Sequence, residues 1–346
     1  MARCAVRSKR GYRARVSAGW TTSTERPAST ATGLRRHAGW LASVALVVTW
    51  SSGFVGAELS SRAGAAPLSL LGWRFVVLSG FLLAVAVVLR VPRPSLRAWG
   101  RQAALAVLCQ VGYLLFVFEG VTRGVHGGTA ALIAALQPLL VATVAGRLLG
   151  ERSSARTWLG LVLGLAGVVV VVSGDLGVAE AAWWAYLLPT AGMLCLACGT
   201  VLARRLDPSE SLFQTITMQA VVAGVVLMGA AAATGQAAPP ADPDFWAAVA
   251  WLVVLASLGG YVMYVFVTRA QGATVVSTLL YLTPPTTMVW VLLMFGEPIT
   301  LVALVGLVVS AAGVLLVLHD RRAAPTSPRG GPGRRRTAFR PARRAR

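Results

Sequence analysis

Two stretches decide how this chain is read: IAALQPLLVATVAGRLLGER, from Ile133 to Arg152, and LLYLTPPTTMVWVLLMFGEP, from Leu279 to Pro298. In the first, Pro138 stands 13 positions before Glu151; in the second, Pro284 stands 13 before Glu297. The offset of 146 residues between them holds without a gap from Thr122 to the end of the apolar sequence. Thr122-Arg123 returns as Thr268-Arg269, Gly150-Glu151 as Gly296-Glu297, and Gly160 and Gly167 as Gly306 and Gly313. Matches of Leu or Val mean little in an apolar chain, but glutamate is rare here, so a shared Pro, Gly-Glu and two-glycine frame carries weight. Upstream the echo is weaker. SGF at 52–54 meets CGT at 198–200, and Gly112-Tyr113 returns at Gly260-Tyr261 with a two-residue slip.

The medium is set by composition. Of 346 residues, 56% are hydrophobic and only 13% charged, with a mean hydropathy of +0.69. Apolar runs of about 20 residues recur, each long enough for a hydrocarbon core of roughly 30 Å. The alternation of a transmembrane β-barrel is absent, so an all-α integral membrane fold is expected. Ten spans are placed near 40–59, 67–89, 102–121, 128–149, 157–174, 182–203, 212–233, 246–268, 272–295 and 299–319. The net charge of +20 does not point to nucleic acid, because 19 of the 32 basic residues lie in residues 1–39 and 321–346. These stretches lack apolar periodicity and read as disordered basic arms, 1–39 and 320–346, resting on anionic lipid headgroups. Lys and Arg favour cytoplasmic loops. That rule places both termini in the cytoplasm, with Arg90, Arg93, Arg97, Arg101, Arg147, Arg152, Arg156, Arg204, Arg205 and Arg269 on the same side.

Residues 40–174 and 182–319 are then two five-helix repeats. Five is odd, so the second repeat enters the membrane inverted, with Glu151 facing the cytoplasm and Glu297 the outside. Inverted repeats are common in secondary transporters, where a site between the halves can open to either side.

The segments TAALIAALQPLLVATVAGRLLGE with GLVLGLAGVVVV, and STLLYLTPPTTMVWVLLMFGE with GLVVSAAGVLLV, resemble the EamA-type transporters of the drug/metabolite transporter superfamily. TWSSGFVGAELS in the first span and the Pro67–Arg74 spacing resemble that family too, over about residues 40–320. The resemblance implies ten spans in two repeats, export or exchange of small metabolites such as amino acids or drugs, and a plasma (inner) membrane location. It also implies a central cavity lined by most spans other than the fifth and tenth, and it names no substrate. The chain departs from the pattern where Gln219 occupies roughly the place of Arg74.

Individual residues divide between site and scaffold. Arg74, about 10 Å deep by helical rise, needs either a fixed partner or a wet cavity. One reading is an ion pair with Glu58 or Glu119; the other is a guanidinium that receives a substrate carboxylate or phosphate. Glu58 and Glu119 are the candidates for proton coupling. Trp50, Ser51, Ser52, Tyr113, Gln137 and Tyr281 complete the candidate substrate site, with Gln110, Gln219, Tyr261, Tyr264, Thr283 and Trp290 as further mid-span polar or aromatic residues. Pro138, Pro284 and Pro285 remove backbone donors and serve as helix breaks or gates. Glu151 and Glu297 are expected to complement helix N-termini, with Pro298 in a first turn. Gly160, Gly167, Gly306 and Gly313 make small-residue packing faces, within one chain or in a homodimer. Cys195 and Cys198 read as packing residues rather than a metal or redox pair. No Walker A lysine exists, since Lys9 precedes the membrane. No cofactor or metal is expected. An intramembrane enzyme acting on lipid-linked substrates, or a channel, is the rival reading.

Overall fold

The computed structural model describes residues 28–141, 155–175, 181–271 and 273–323. Among these residues the chain is helical, without strands. The helices are α1 (Ala28–Arg62), α2 (Pro67–Val88), α3 (Leu96–Thr122), α4 (Gly127–Val141), α5 (Ala155–Asp175), α6 (Trp183–Leu206), α7 (Leu212–Ala233) and α8 (Pro243–Gln271). After them come α9, built from Ala273–Leu279, the 3₁₀ turn Leu280–Leu282 and Thr283–Phe295, and α10 (Leu301–Ala323). Seven of these are long and apolar enough to cross a membrane; the apolar parts of α4, α9 and α10 are shorter. The chain is therefore a multi-pass membrane protein. Helix α1 begins inside the stretch expected to be an arm, and Glu151 lies outside the described residues.

Local chemistry sets the helix ends. The Ser95 hydroxyl accepts from Ala98 N–H at the start of α3, and Ser211 with Gln214 forms a reciprocal capping box on α7. Pro67 and Pro243 occupy first-turn positions of α2 and α8, where no N–H is required. Gly296 closes α9 at φ +71°, a conformation that glycine adopts without strain.

Packing follows the repeat. Helix α2 lies against α7, α4 against α9 and α5 against α10; α1 packs on α8 as α6 packs on α3. Each of these relations survives exchange of helix n for helix n + 5. Irregularities follow the same exchange. Helix α3 contains a π segment at Val107–Gly112 and α8 one at Leu252–Gly259, and the slip between Gly112 and Gly260 falls there. Helix α4 is interrupted at Ala135–Leu136, just before Pro138, and α9 tightens to the 3₁₀ turn just before Pro284. The missing proline donors explain why both breaks sit there.

Helices α5 and α10 approach backbone to backbone. A side chain on Gly313 would meet Gly160 O at 2.5 Å, and one on Gly306 would meet Gly167 O at 2.6 Å. Ser310, which replaces the Gly164 of the other repeat, donates to Gly164 O at 3.0 Å. The small-residue faces thus meet each other inside one chain.

Candidate substrate site

Arg74 sits on the face of α2 that looks into the bundle, and it is buried to 7% exposure. Its Nε and Nη2 donate to the Ser257 hydroxyl at 3.3 and 3.1 Å, and its guanidinium lies 5.2 Å from the Phe75 ring centre. Ser257 is in the π segment of α8 and gives its single proton to Leu252 O at 2.9 Å. Its lone pairs are therefore left for Arg74. Among the described residues no carboxylate lies within 4.0 Å of Arg74. The expected ion pair is absent, because Glu58 is held by Arg62 and Glu119 by Arg123, each one turn along its own helix. Tyr113 on α3 is the phenol within electrostatic reach of Arg74.

The other candidate residues are distributed around this point. Trp50 is 37% exposed and tilts against Tyr264 at 5.7 Å, with Tyr261 beyond at 6.4 Å. Buried Ser51 donates to Thr283 O at 3.4 Å, tying α1 to the break in α9. Gln137 Nε2 donates to the Thr200 hydroxyl at 2.8 Å, tying α6 to the break in α4. Gln137 and Thr283 are 146 residues apart, so each broken helix is joined at its break to the first helix of the other repeat. Ser52 turns back to Thr49 O, while its own carbonyl accepts from Trp251 Nε1 at 2.9 Å. Tyr281 packs with Leu139, Leu161 and Val314, a cluster of α4, α5 and α10.

Two polar clusters occupy opposite ends of the bundle. At the end where α1 finishes, Arg62 bridges Glu58 and Glu297, and His126 reaches Asp175 at 3.2 Å and Glu297 at 3.8 Å. Thr129 donates to the other oxygen of Asp175. The Asp175 carboxylate at Nδ1 raises the His126 pKa above its ordinary value. Glu297 therefore bridges helices, whereas the first turn of α10 is capped by Thr300, which accepts from Ala303 N–H at 3.1 Å; Pro298 precedes that helix. At the opposite end, Arg101 on α3 pairs with Glu210 in the α6–α7 connection. Neither Glu210 nor the joining of Gln102, Gln110 and Gln219 was visible in the sequence. Glu210 lies in a short loop, and only the α3–α7 packing brings these amides to it.

Comparison with known proteins fits this geometry. The EamA-like transporter family matches residues 37–173 and 183–319, once for each repeat. The inner membrane transporter YedA of Escherichia coli K12, itself described as uncharacterized, is 28% identical over 82% of this chain and 92% of its own length. A probable terminal-alkyne amino-acid exporter of Streptantibioticus cattleyicolor is 29% identical over 84% and 97%. A solved crystal structure with 18% identity superposes at a TM-score of 0.58, covering 84% of this chain and all of its own, which speaks to the fold alone. With both halves matched by one family model and a multi-pass helical architecture around a buried arginine, the chain belongs to the EamA-like transporter family.

Proposed function

We propose that this membrane transporter is a secondary carrier, not an enzyme, that exports or exchanges small metabolites bearing a carboxylate across the plasma membrane by alternating access. The observation that carries the reading is Arg74: a deeply buried guanidinium with one hydroxyl partner and no carboxylate among the described residues. A buried, unpaired cation is costly, and a substrate carboxylate with bidentate geometry would relieve that cost. Packing relations that survive exchange of α1–α5 for α6–α10 support ten spans in two inverted repeats. The arginine distribution supports a cytoplasmic Glu210 end, cytoplasmic termini on anionic headgroups, and an external Glu297 end. On this reading the two polar clusters close the two mouths in turn, while the breaks at Pro138 and at Pro284–Pro285 let α4 and α9 bend. Trp50, Tyr113, Ser51 and Gln137 belong to the cavity wall. Glu58 is the better proton-coupling candidate, because it shares Arg62 with Glu297 and lies in the cluster of His126. The Streptantibioticus relative, named for amino-acid export, favours an amino-acid-like solute and the outward direction.

The test is counterflow in proteoliposomes, using a panel of amino acids and their decarboxylated amines. Acids should exchange and the matching amines should not, and Arg74→Gln should abolish exchange while the protein still folds. Equal exchange of the amines, or full activity of Arg74→Gln, would refute the reading.

A further inference from the structure

Four side chains near the Glu210 end form a hydrogen-bond series that runs in one direction. Gln102 Nε2 donates to Glu210 Oε2 at 3.1 Å, Gln219 Nε2 to Gln102 Oε1 at 2.9 Å, and Gln110 Nε2 to Gln219 Oε1 at 3.2 Å. That direction follows from chemistry. An ionised carboxylate only accepts, and the hydrogen bond from Arg101 holds the Glu210 carboxyl below its usual range. Gln102, fully buried, must therefore turn its nitrogen to Glu210 and its oxygen to Gln219. The same logic turns Gln219, and then Gln110. What remains at the inner end is the Gln110 oxygen, to which no described residue donates; Gln110 itself is half-buried.

Gln110 is in the π segment of α3, one turn from Tyr113, the phenol near Arg74. Helices α2 and α7 run antiparallel, with Gly72 on Met228 and Phe75 on Gly224. Gln219 is then five residues, or roughly 7.5 Å of rise, from the level of Phe75. The two contacts are also mates under the repeat. Gln110 with Gln219 joins α3 to α7, as Ser257 with Arg74 joins α8 to α2. One mate leaves a donor unspent and the other an acceptor.

We propose that Glu210, acting through Gln102 and Gln219, positions the Gln110 oxygen as an acceptor on the Tyr113 side of Arg74, selecting a solute with a carboxylate and a nearby N–H or ammonium donor. The proposal rests on the carboxylate-binding reading of Arg74. Glu210 touches no solute; it is a positioning residue.

The test uses the full chain in lipid nanodiscs at pH 7.5, with ¹⁵N in its seven glutamines and its arginines. Glu210→Gln keeps the shape but removes the obligate acceptor. The Gln110 side-chain signal should shift and its amide hydrogens exchange about tenfold faster, while Gln271 stays in place. Arg101→Gln, which leaves the carboxylate, should spare Gln110. Should Glu210→Gln fail to fold, Gln102→Met cuts the series one step further in and should move Gln110 alike. A Gln110 signal indifferent to both changes overturns the relay. Two probes then read the site in the unsubstituted protein: phenylalanine and 3-phenylpropionate, which lacks the ammonium. Both should move the Arg74 Nε signal, but only phenylalanine should move Gln110. If both acids move Arg74 and neither or both move Gln110, the proposal fails while the reading of Arg74 stands. If neither moves Arg74, that reading fails.

Discussion

Substituting Gly167 by Ala tests whether the small-residue faces of α5 and α10 set the spacing of the bundle. The new methyl would stand 2.5 Å from Gly306 O and 2.6 Å from Ser310 N. The nearest atom of all, Ser310 Oγ, can rotate away, but these two are backbone atoms and cannot, so the helices must part by about 1 Å to reach ordinary contact. Overpacking of this kind costs roughly 1–3 kcal/mol. Stretching the Ser310–Gly164 hydrogen bond removes about 0.5–1.5 kcal/mol more, and replacing a helical glycine returns about 0.5–1 kcal/mol. The net expectation is a loss of about 1–3 kcal/mol. Gly229→Ala is the control, because nothing lies within 4 Å of the added methyl; it should gain the helical increment alone. The two variants should therefore differ by about 2–4 kcal/mol, an apparent Tm gap on the order of 5 °C in detergent. Equal thermal unfolding of Gly167→Ala and Gly229→Ala would refute the packing argument.

Three further outcomes are expected. Ser257→Ala should weaken carboxylate binding severalfold by freeing Arg74 from its one hydroxyl, and Ser257→Thr should restore it; equal affinities of Ser257→Ala and the unsubstituted protein would contradict the role. Because Asp175 raises the His126 pKa, the cluster of Arg62, Glu58, Glu297 and His126 should contribute fully below about pH 6.5 and lose strength as pH rises through the raised value. Thermal stability should then fall as pH rises above about 6.5, by a modest amount since His126 is 31% exposed, and the fall should vanish in His126→Gln. Glu119→Gln, which breaks only an exposed pair with Arg123, should change stability by less than about 1 kcal/mol and leave exchange intact.

The helical positions were legible because hydropathy and proline act locally. Pro138 and Pro284 foretold the two breaks, since a missing N–H cannot be supplied from elsewhere. The α5–α10 interface was half legible: glycines at helical spacing announce a close contact, but nothing in them says which helix is met. The partner of Arg74 was not legible at all. Glu58 and Glu119 were reasonable by depth, yet each has an arginine one turn away on its own helix, and such local pairing outcompetes a distant one. Ser257 carries no charge and marks no motif. It became a partner because a π segment turns it toward α2. Likewise Glu297 reads as a helix-end charge in sequence, whereas the fold sets it beside Arg62, 235 residues away.

The inversion of the repeats bears most of this account, and labelling in intact cells tests it directly. In a cysteine-free background, single cysteines at Arg93 in the α2–α3 loop and at Gln236 in the α7–α8 loop mark equivalent places in the two repeats. A membrane-impermeant maleimide added outside should label the Gln236→Cys protein at once and the Arg93→Cys protein only after the cells are broken. Labelling of both from the same side would mean that the repeats run parallel, and the carrier proposed here could not work.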